Sequence, residues 1–197
     1  MGVDEAGRGP LAGPVSVAAV AVRVKDYRTA LPIFDGVRDS KKLTEYAREE
    51  WYERLRNLER KHKIRTAVSL VSNTVIDRKG IMHAIRLGTL RTLKKLKISP
   101  AHAYVLLDGS LYAPSEWKKQ KTIIRGDDRV QIIAAASVLA KVRRDRRMRR
   151  LAPLYPHYHF EEHKGYGSVV HIKVLKRYGL TKIHRKSFCH FLPKSVR

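Results

Sequence analysis

The stretch MGVDEAGRGPLAGP, residues 1–14, contains the features from which the fold and the chemistry are predicted. Two adjacent acids, Asp4 and Glu5, follow an apolar start and lead into the run GRGP at residues 7–10. Neighbouring side chains of a strand point to opposite faces, so both acids reach one site only where the backbone turns. The glycines permit that turn and leave backbone N–H groups uncovered by side chains. A solvated acidic turn after a short strand is the alternative that these residues leave open.

A dinucleotide-binding loop fits this stretch less well. The third small residue of its glycine fingerprint would be Ala12, which only the looser form of the fingerprint allows. Pro10 and Pro14 also interfere with the helix start that such a loop requires. A cofactor loop is therefore the less favoured interpretation.

The composition indicates one domain and a polyanionic partner. The chain has 197 residues, enough for a proper core, and 42 Lys and Arg against 18 Asp and Glu give a net charge of +24. Such an excess points first to nucleic acid. Cys189 is the single cysteine, which indicates a reducing compartment. No long apolar run and no leader pattern is present, so we expect a cytoplasmic protein that does not contact a membrane.

The residue pattern predicts an α/β fold. A valine-rich apolar run at residues 15–24 fits a strand buried on both faces, and residues 25–38 resemble a loop. Thr44 is a candidate N-cap for a helix that ends near Arg60. The remaining predicted elements are strands at 64–71, 103–107 and 122–124, a helical region at 72–98 interrupted at Gly80, and helices at 129–150 and 169–177. This order suits a mixed sheet with helices on its faces.

Two further acids follow predicted strands. Asp108 comes after a short apolar strand, and Asp127 lies between a strand and a helix, where an N-cap is the ordinary role. Together with Asp4 and Glu5 these acids could meet at one edge of the sheet. Carboxylates about 4 Å apart repel by roughly 4 kcal/mol at an effective dielectric of about 20. Such a cluster needs cations, and oxygen ligands suit Mg²⁺ or Mn²⁺, which suggests metal-assisted phosphodiester chemistry.

Six motifs in order make the prediction specific. They resemble the signature of ribonuclease HII, the type 2 ribonuclease H family, and span essentially the whole chain. The motifs are GVDEAGRGPLAGPV at 2–15, DSKKL at 39–43, LLDG at 106–109, RGDD with IAAASVLAKVRRD between 125 and 145, HKGYG at 163–167 and HRKSF at 184–188.

The resemblance implies an α/β, ribonuclease H-like mixed β-sheet flanked by helices, with a helical C-terminal extension. Residues 1–150 would form the catalytic core, and residues 151–197 a helical part packed on that core as one functional domain. It implies hydrolysis of the RNA strand of RNA–DNA hybrids and incision 5′ of single ribonucleotides in duplex DNA, leaving a 3′-hydroxyl and a 5′-phosphate. The type 3 enzymes are disfavoured because their loop differs from Gly-Arg-Gly and because they carry an extra N-terminal domain.

The resemblance also assigns roles to single residues. The metal-binding and catalytic carboxylates fall on Asp4, Glu5, Asp108 and Asp127, holding two ions of Mg²⁺ or Mn²⁺, and Asp128 is left to cap the following helix. The turn of Gly7, Arg8 and Gly9 matches the segment that reads the ribose 2′-hydroxyl, and Tyr166 matches the tyrosine that packs on the adjoining sugar. Lys41 and Lys42 are candidates for holding a backbone phosphate, with plain solvated charge as the alternative.

Several alternatives remain open at this point. The spacing of His157, His159 and His163 would permit zinc, but no cysteine lies close in sequence. Phe188 and Phe191 lack the glutamine of a clamp-binding peptide, so we expect no clamp motif, and we expect a monomer. A non-catalytic RNA-binding protein would have the same charge. A resolvase or integrase would use the same acids without reading a ribose.

Overall fold

The computed structural model describes residues 1–23, 25, 31–37 and 40–193. The predicted strand end at Val24, Asp39 of the DSKKL motif and the last residues of the predicted C-terminal part, 194–197, lie outside these residues. Within the predicted loop 25–38, the structure has a 3₁₀ helix at Leu31–Phe34.

A mixed sheet forms the centre of the fold, as predicted. Its spatial order is β3-β2-β1-β4-β5, with β2 antiparallel to both its neighbours and β4 parallel to both of its own. The strands are β1 at Gly2–Ala6, β2 at Val15–Ala21, β3 at Arg65–Val71, β4 at Val105–Asp108 and β5 at Gln120–Ile123.

Strand β2 is buried along its whole length, which confirms the predicted burial, but it ends at Ala21, earlier than the apolar run predicted. Side chains alternate along a strand. Val17 therefore joins one hydrophobic cluster, whereas Ala18 joins the cluster on the opposite face of the sheet. Helices cover both faces, and that is why the strand has no polar side.

Seven α-helices lie in the described part of the chain. They are α1 at Glu45–Arg60, α2 at Asn73–Lys79, α3 at Ile81–Lys95, α4 at Gly126–Arg129, α5 at Gln131–Leu151, α6 at Phe160–His163 and α7 at Val169–Tyr178. The side chains of Thr44, Ser72 and Ser168 accept hydrogen bonds at the starts of α1, α2 and α7, and Thr44 is the cap that the sequence predicted. Gly80 separates α2 from α3 with φ of +84°, a conformation that favours glycine.

Helix α5 lies close against the sheet where its buried residues are small, at Ala134–Ala136 and Ala140. At Gly2 of β1, an added Cβ would lie 2.4 Å from the backbone oxygen of Ile132. The helix starts two residues later than predicted, because the chain first forms the short helix α4 and then extends at Val130.

Asp128 does not cap a helix, and that prediction is wrong. It lies inside α4, whose N-cap residue is Arg125, while Val130 occupies the N-cap position of α5. The Asp128 carboxylate contacts the Lys42 ammonium instead.

The segment after α5 packs on the rest of the chain through a third hydrophobic cluster. Ala12 and Met148 meet Phe160, Leu175 and Cys189 there, all without exposed surface. The cluster brings the end of the first motif against the C-terminal helices. Of the helices in the described residues, none has the length and apolar character needed to cross a membrane.

Candidate active site

Three carboxylates converge at one edge of the sheet. Asp4 belongs to β1, Asp108 ends β4 and Asp127 lies in α4, and each offers an oxygen within 4.8 Å of the other two. The sheet register is the reason for the first pair. Val3 lies beside Leu107 in the parallel ladder between β1 and β4, so the next residue on each strand is an aspartate.

The backbone that follows β5 fixes the position of Asp108. The N–H of Gly126 donates to Asp108 Oδ1 at 2.6 Å, and the N–H of Asp127 donates to the same oxygen at 3.3 Å. Arg125, in the left-handed region with φ of +54°, turns the chain so that both amides face this carboxylate. Residues 125–127 therefore do two things: they place Asp127 in the cluster, and their amides fix the Asp108 carboxylate.

The cluster carries unfavourable negative charge. Burial, together with the neighbouring charges of Glu5 and Asp108, raises the pKa of Asp4 well above its ordinary value. The N–H of Glu5 donates to Asp4 Oδ1 at 2.7 Å and acts in the opposite direction, as does the Ser137 hydroxyl. Burial and the neighbouring negative charges both disfavour the ionised carboxylate, so a cation is needed to keep Asp4 charged.

Glu5 lies at the side of this group. The pKa of Glu5 is raised overall: burial raises it most, the Arg8 charge lowers it, and the Asp108 charge raises it. The carboxylates of Glu5 and Asp108 therefore repel each other. Its Oε2 atom is buried and has no hydrogen-bond partner among the described residues, while Oε1 accepts from the Arg8 guanidinium at 3.3 Å. An orphaned carboxylate oxygen beside three converging carboxylates fits a hard divalent cation bound through oxygen.

The two predicted phosphate-binding lysines contact acids of α4. Lys41 Nζ lies 3.7 Å from Asp127 Oδ2, and Lys42 Nζ lies 2.5 Å from Asp128 Oδ1. Both side chains are mostly exposed. Lys41 thus contacts a member of the carboxylate cluster, whereas Lys42 pairs with an aspartate outside it.

The Gly-Arg-Gly turn follows β1 directly. Gly7 is buried with φ of +93°, and an added Cβ would lie 2.1 Å from Arg144 Nε. Arg8 and Gly9 are exposed, and their N–H groups make no hydrogen bond within the part of the chain that the structure describes. The turn therefore presents two free amides next to the carboxylates.

Tyr166 is not a core aromatic, since its exposed fraction is 40%. Lys141 Nζ and the Arg144 guanidinium carbon lie 5.3 Å and 5.4 Å from its ring centroid. Two cations at this distance favour one position of an aromatic ring.

The sequence reasoning missed two buried arginines behind the turn. Neither Arg144 nor Arg185 has exposed surface, and both donate to backbone carbonyls of residues 7–14. Burial, and then the charge of Arg144, lower the pKa of Arg185 to about 9, so it remains a cation at neutral pH. Both residues lie in motifs that the sequence analysis had singled out, and an arginine inside a short motif was the available signal.

The spacing that would permit zinc does not bring His157, His159 and His163 into one group that could hold a metal ion. His159 has Glu161 and Glu162 near it, His157 stacks on Tyr178, and His163 stacks on His171. A second histidine contact is buried, with His171 Nε2 and His184 Nε2 3.0 Å apart. Burial lowers the pKa of His171 to about 4 and that of His184 to about 3, so both rings are neutral.

Comparison with known proteins decides the family. The family model for ribonuclease HII matches residues 1–191. The chain belongs to the ribonuclease HII family. A ribonuclease HII from Caldicellulosiruptor bescii is 46% identical over 187 residues, covering 95% of this chain and 84% of that protein. A ribonuclease HII from Fusobacterium nucleatum is 45% identical and covers 95% and 84%.

Solved structures agree with the fold. A ribonuclease H2 from Pyrococcus horikoshii superposes with a TM-score of 0.70 at 24% identity, covering 94% of this chain and 92% of that one. A ribonuclease HII from Archaeoglobus fulgidus, solved in complex with PCNA, gives 0.69 at 27% identity, with 90% and 86% covered. A ribonuclease HIII solved with Mn²⁺ gives 0.64 at 19% identity, with 95% and 66% covered. The chain is a nuclease of the hydrolase class with a ribonuclease H-like fold.

Proposed function

We propose that this protein is an endoribonuclease that hydrolyses the RNA strand of RNA–DNA hybrids and incises duplex DNA 5′ of a single embedded ribonucleotide. The products are a 3′-hydroxyl and a 5′-phosphate. One observation carries the proposal: three carboxylates converge within 4.8 Å at the strand that leads directly into a turn with two exposed residues, Arg8 and Gly9. The carboxylates would support phosphodiester hydrolysis, and the adjoining turn would recognise the ribose.

Asp4, Glu5, Asp108 and Asp127 would hold the metal, with two ions of Mg²⁺ or Mn²⁺ as the proposed complement. The donor set consists of carboxylate oxygens, which suits these hard cations and disfavours zinc. When bound, divalent ions supply an activated water and neutralise charge at the leaving oxygen. The protein holds Asp108 through two amides, and the Lys41 ammonium lies 3.7 Å from the Asp127 carboxylate.

The turn would read the ribose. RNA and DNA differ at the site by the 2′-hydroxyl, so discrimination requires groups that bond to it. The N–H groups of Arg8 and Gly9 are available, and Gly9 carries no side chain that would keep a sugar away. A DNA analogue leaves such groups unpaired, which gives sharp discrimination. Tyr166, exposed and flanked by Gly165 and Gly167, would pack on the next sugar.

The remaining proposals concern the surroundings of the site. Lys41 and Lys42 would hold a backbone phosphate, exchanging their contacts with Asp127 and Asp128 for the substrate. The charge of +24 supports binding along the duplex. Residues 1–150 would be the catalytic core and 151–197 a helical part of the same functional unit. We propose a cytoplasmic monomer that acts in ribonucleotide excision repair without a clamp-binding motif.

The central test is incubation with duplex DNA carrying one ribonucleotide, with and without Mg²⁺ or Mn²⁺. We expect a single cut 5′ of the ribonucleotide that requires the metal. Cleavage of an all-DNA duplex at a comparable rate, or cleavage in EDTA, would contradict the proposal.

A matched pair of variants tests the metal ligands. Asp127→Asn should abolish most turnover, because it removes an oxygen from the converging group. Asp128→Asn should keep turnover within about tenfold, because its exposed ion pair with Lys42 contributes about 1 kcal/mol or less. An inactive Asp128→Asn beside an active Asp127→Asn would show that the ligand has been assigned to the wrong aspartate.

A second pair tests Tyr166. Tyr166→Ala should lose far more activity on the single-ribonucleotide duplex than Tyr104→Ala, with similar melting temperatures for the two variants. Tyr104 is a suitable control because it is also half-exposed, with 50% against 40%, and it precedes β4 at the end of the strand opposite Asp108. Equal activity of the two variants would remove Tyr166 from the proposed substrate site.

A further inference from the structure

The Gly-Arg-Gly turn is held from inside by one buried side chain. Arg185 Nη2 donates to the carbonyl of Gly7 at 2.7 Å, Nη1 to that of Arg8 at 2.8 Å and Nε to that of Gly13 at 3.0 Å. Two nitrogens of one planar guanidinium therefore bind carbonyls of the turn, and the third binds a carbonyl four residues beyond it. A lysine ammonium cannot reproduce this fork.

These contacts determine where the amides point. In a planar trans peptide the carbonyl of one residue and the N–H of the next point in opposite directions, and no peptide in the described residues is cis. Because the carbonyls of Gly7 and Arg8 face Arg185, the N–H groups of Arg8 and Gly9 face away from it, towards solvent. They are also the amides that find no partner within the described chain.

Arg185 is itself fixed by the segment that carries it, residues 182–188, which we term the C-terminal strap. The strap pairs with residues 11–13 of the turn region through Arg185 N–H to the Leu11 carbonyl at 2.7 Å and Gly13 N–H to the Ile183 carbonyl at 2.8 Å. On its other side, the Asp77 carboxylate on α2 accepts from the N–H groups of Lys186 and Ser187 and from the Ser187 hydroxyl. The strap thus links α2 to the turn.

We propose that Arg185 is a positioning residue for substrate specificity: it aims the amides of Arg8 and Gly9 at the ribose and thereby sets the preference for ribose over deoxyribose. This inference rests on the proposed function, because it assumes that the turn reads the 2′-hydroxyl. It assigns a role to the HRKSF motif, which is remote in sequence from the turn and does not belong to the carboxylate cluster.

Equilibrium binding separates this role from simple structural support. The parent is the Asp108→Asn protein, chosen to stop cleavage, titrated with a duplex carrying one ribonucleotide and with the same duplex made wholly of DNA. We expect the parent to prefer the ribonucleotide duplex by about tenfold, as for two net hydrogen bonds. Adding Arg185→Lys should reduce the preference to near unity and leave affinity for the DNA duplex within about twofold, since phosphate contacts carry that affinity.

Two controls keep the outcomes distinct. Leu93→Ala removes a fully buried side chain of α3 and should lower the melting temperature while leaving the preference unchanged. If Arg185→Lys does not fold, Asp77→Ala provides the test. It releases the strap from α2 without touching the turn, and it should reduce the preference at least threefold.

Each result has a separate meaning. A retained preference in Arg185→Lys or Asp77→Ala, or an equal loss of both affinities, would overturn the positioning role. Absence of any preference in the parent, together with no cleavage by the wild-type protein, would instead overturn the proposed function.

Discussion

Replacing Asp4 by asparagine should stabilise the protein when divalent metal is absent. Asp4 is 3% exposed, and burial with the charges of Glu5 and Asp108 raises its pKa. A carboxylate whose folded pKa is raised above the unfolded value of 3.8 destabilises the fold progressively as pH rises above that value. Asparagine has nearly the same shape, keeps an oxygen that can accept from the Glu5 N–H, and carries no charge.

The distances in the cluster set the size of the expected change in the free energy of unfolding. Two charges 4.8 Å apart repel by about 3.5 kcal/mol at an effective dielectric of about 20. At pH 7 the total penalty cannot exceed about 4 kcal/mol, because beyond that the group binds a proton instead. Asp4→Asn also loses the charge-assisted hydrogen bond from the Glu5 amide, so we expect the free energy of unfolding to rise by a net amount of about 2 kcal/mol. For a chain of this size that corresponds to about 4–8 °C in melting temperature.

Asp145 provides the matched control, because it is buried to the same 3% exposure but is paired. Its carboxylate lies 2.9 Å from Lys141 Nζ and 3.9 Å from Arg144 Nη1. Asp145→Asn leaves buried cations uncompensated and should cost about 3 kcal/mol. Melting would be followed by circular dichroism at pH 7.5 in EDTA. Two aspartate-to-asparagine changes at equal burial are therefore expected to shift the melting temperature in opposite directions.

Titration with Mg²⁺ or Mn²⁺ completes the experiment. Binding to the folded state stabilises the wild-type protein by mass action, and Asp4→Asn should lose most of that increase together with turnover. A decrease in melting temperature for Asp4→Asn in EDTA, comparable with that of Asp145→Asn, would refute the view that the carboxylates repel in the metal-free fold.

Three further outcomes are expected. Gly7→Ala should lower the melting temperature markedly, because φ of +93° and the Arg144 side chain leave no room for a Cβ. Gly9→Ala is the control, because its Cβ would meet open space, and equal melting temperatures of the two variants would contradict this expectation. The free energy of unfolding should fall as pH drops from 6.5 towards 4, because burial lowers the pKa of His171 to about 4 and that of His184 to about 3, and His171→Gln should flatten that slope in chemical denaturation. Log affinity of the Asp108→Asn protein for a hybrid should fall linearly with log salt, by about 0.9 per phosphate neutralised on B-DNA, and a flat response in a fluorescence titration would remove the basic surface from substrate binding.

Local sequence determined much of the fold. A continuous apolar run is sufficient to predict a strand buried on both faces, and β2 is such a strand. Serine and threonine caps mark helix starts because their side chains bond to amides within the same turn, as Thr44 and Ser72 do. These features depend on neighbours within about four residues, so a linear reading is enough to find them.

The error at Asp128 shows where local reasoning stops. An acid next to a helix start is a reasonable N-cap by type, but the chain forms a separate short helix first, and Lys42 from a distant loop binds the carboxylate. Residue type and spacing could not indicate that partner, because the two residues are 86 positions apart.

Some features of the candidate site could be predicted from sequence motifs, whereas others depend on the tertiary structure. Motifs in the sequence named the acids and the turn, since residue identity alone marks a carboxylate or a glycine. The parallel ladder between β1 and β4 decided that Asp4 lies beside Asp108, and the fold decided that Arg185 reaches carbonyls up to 178 residues away. Buried charges acquire their roles from partners brought together by packing. For this reason only the tertiary structure revealed the arginine that holds the turn.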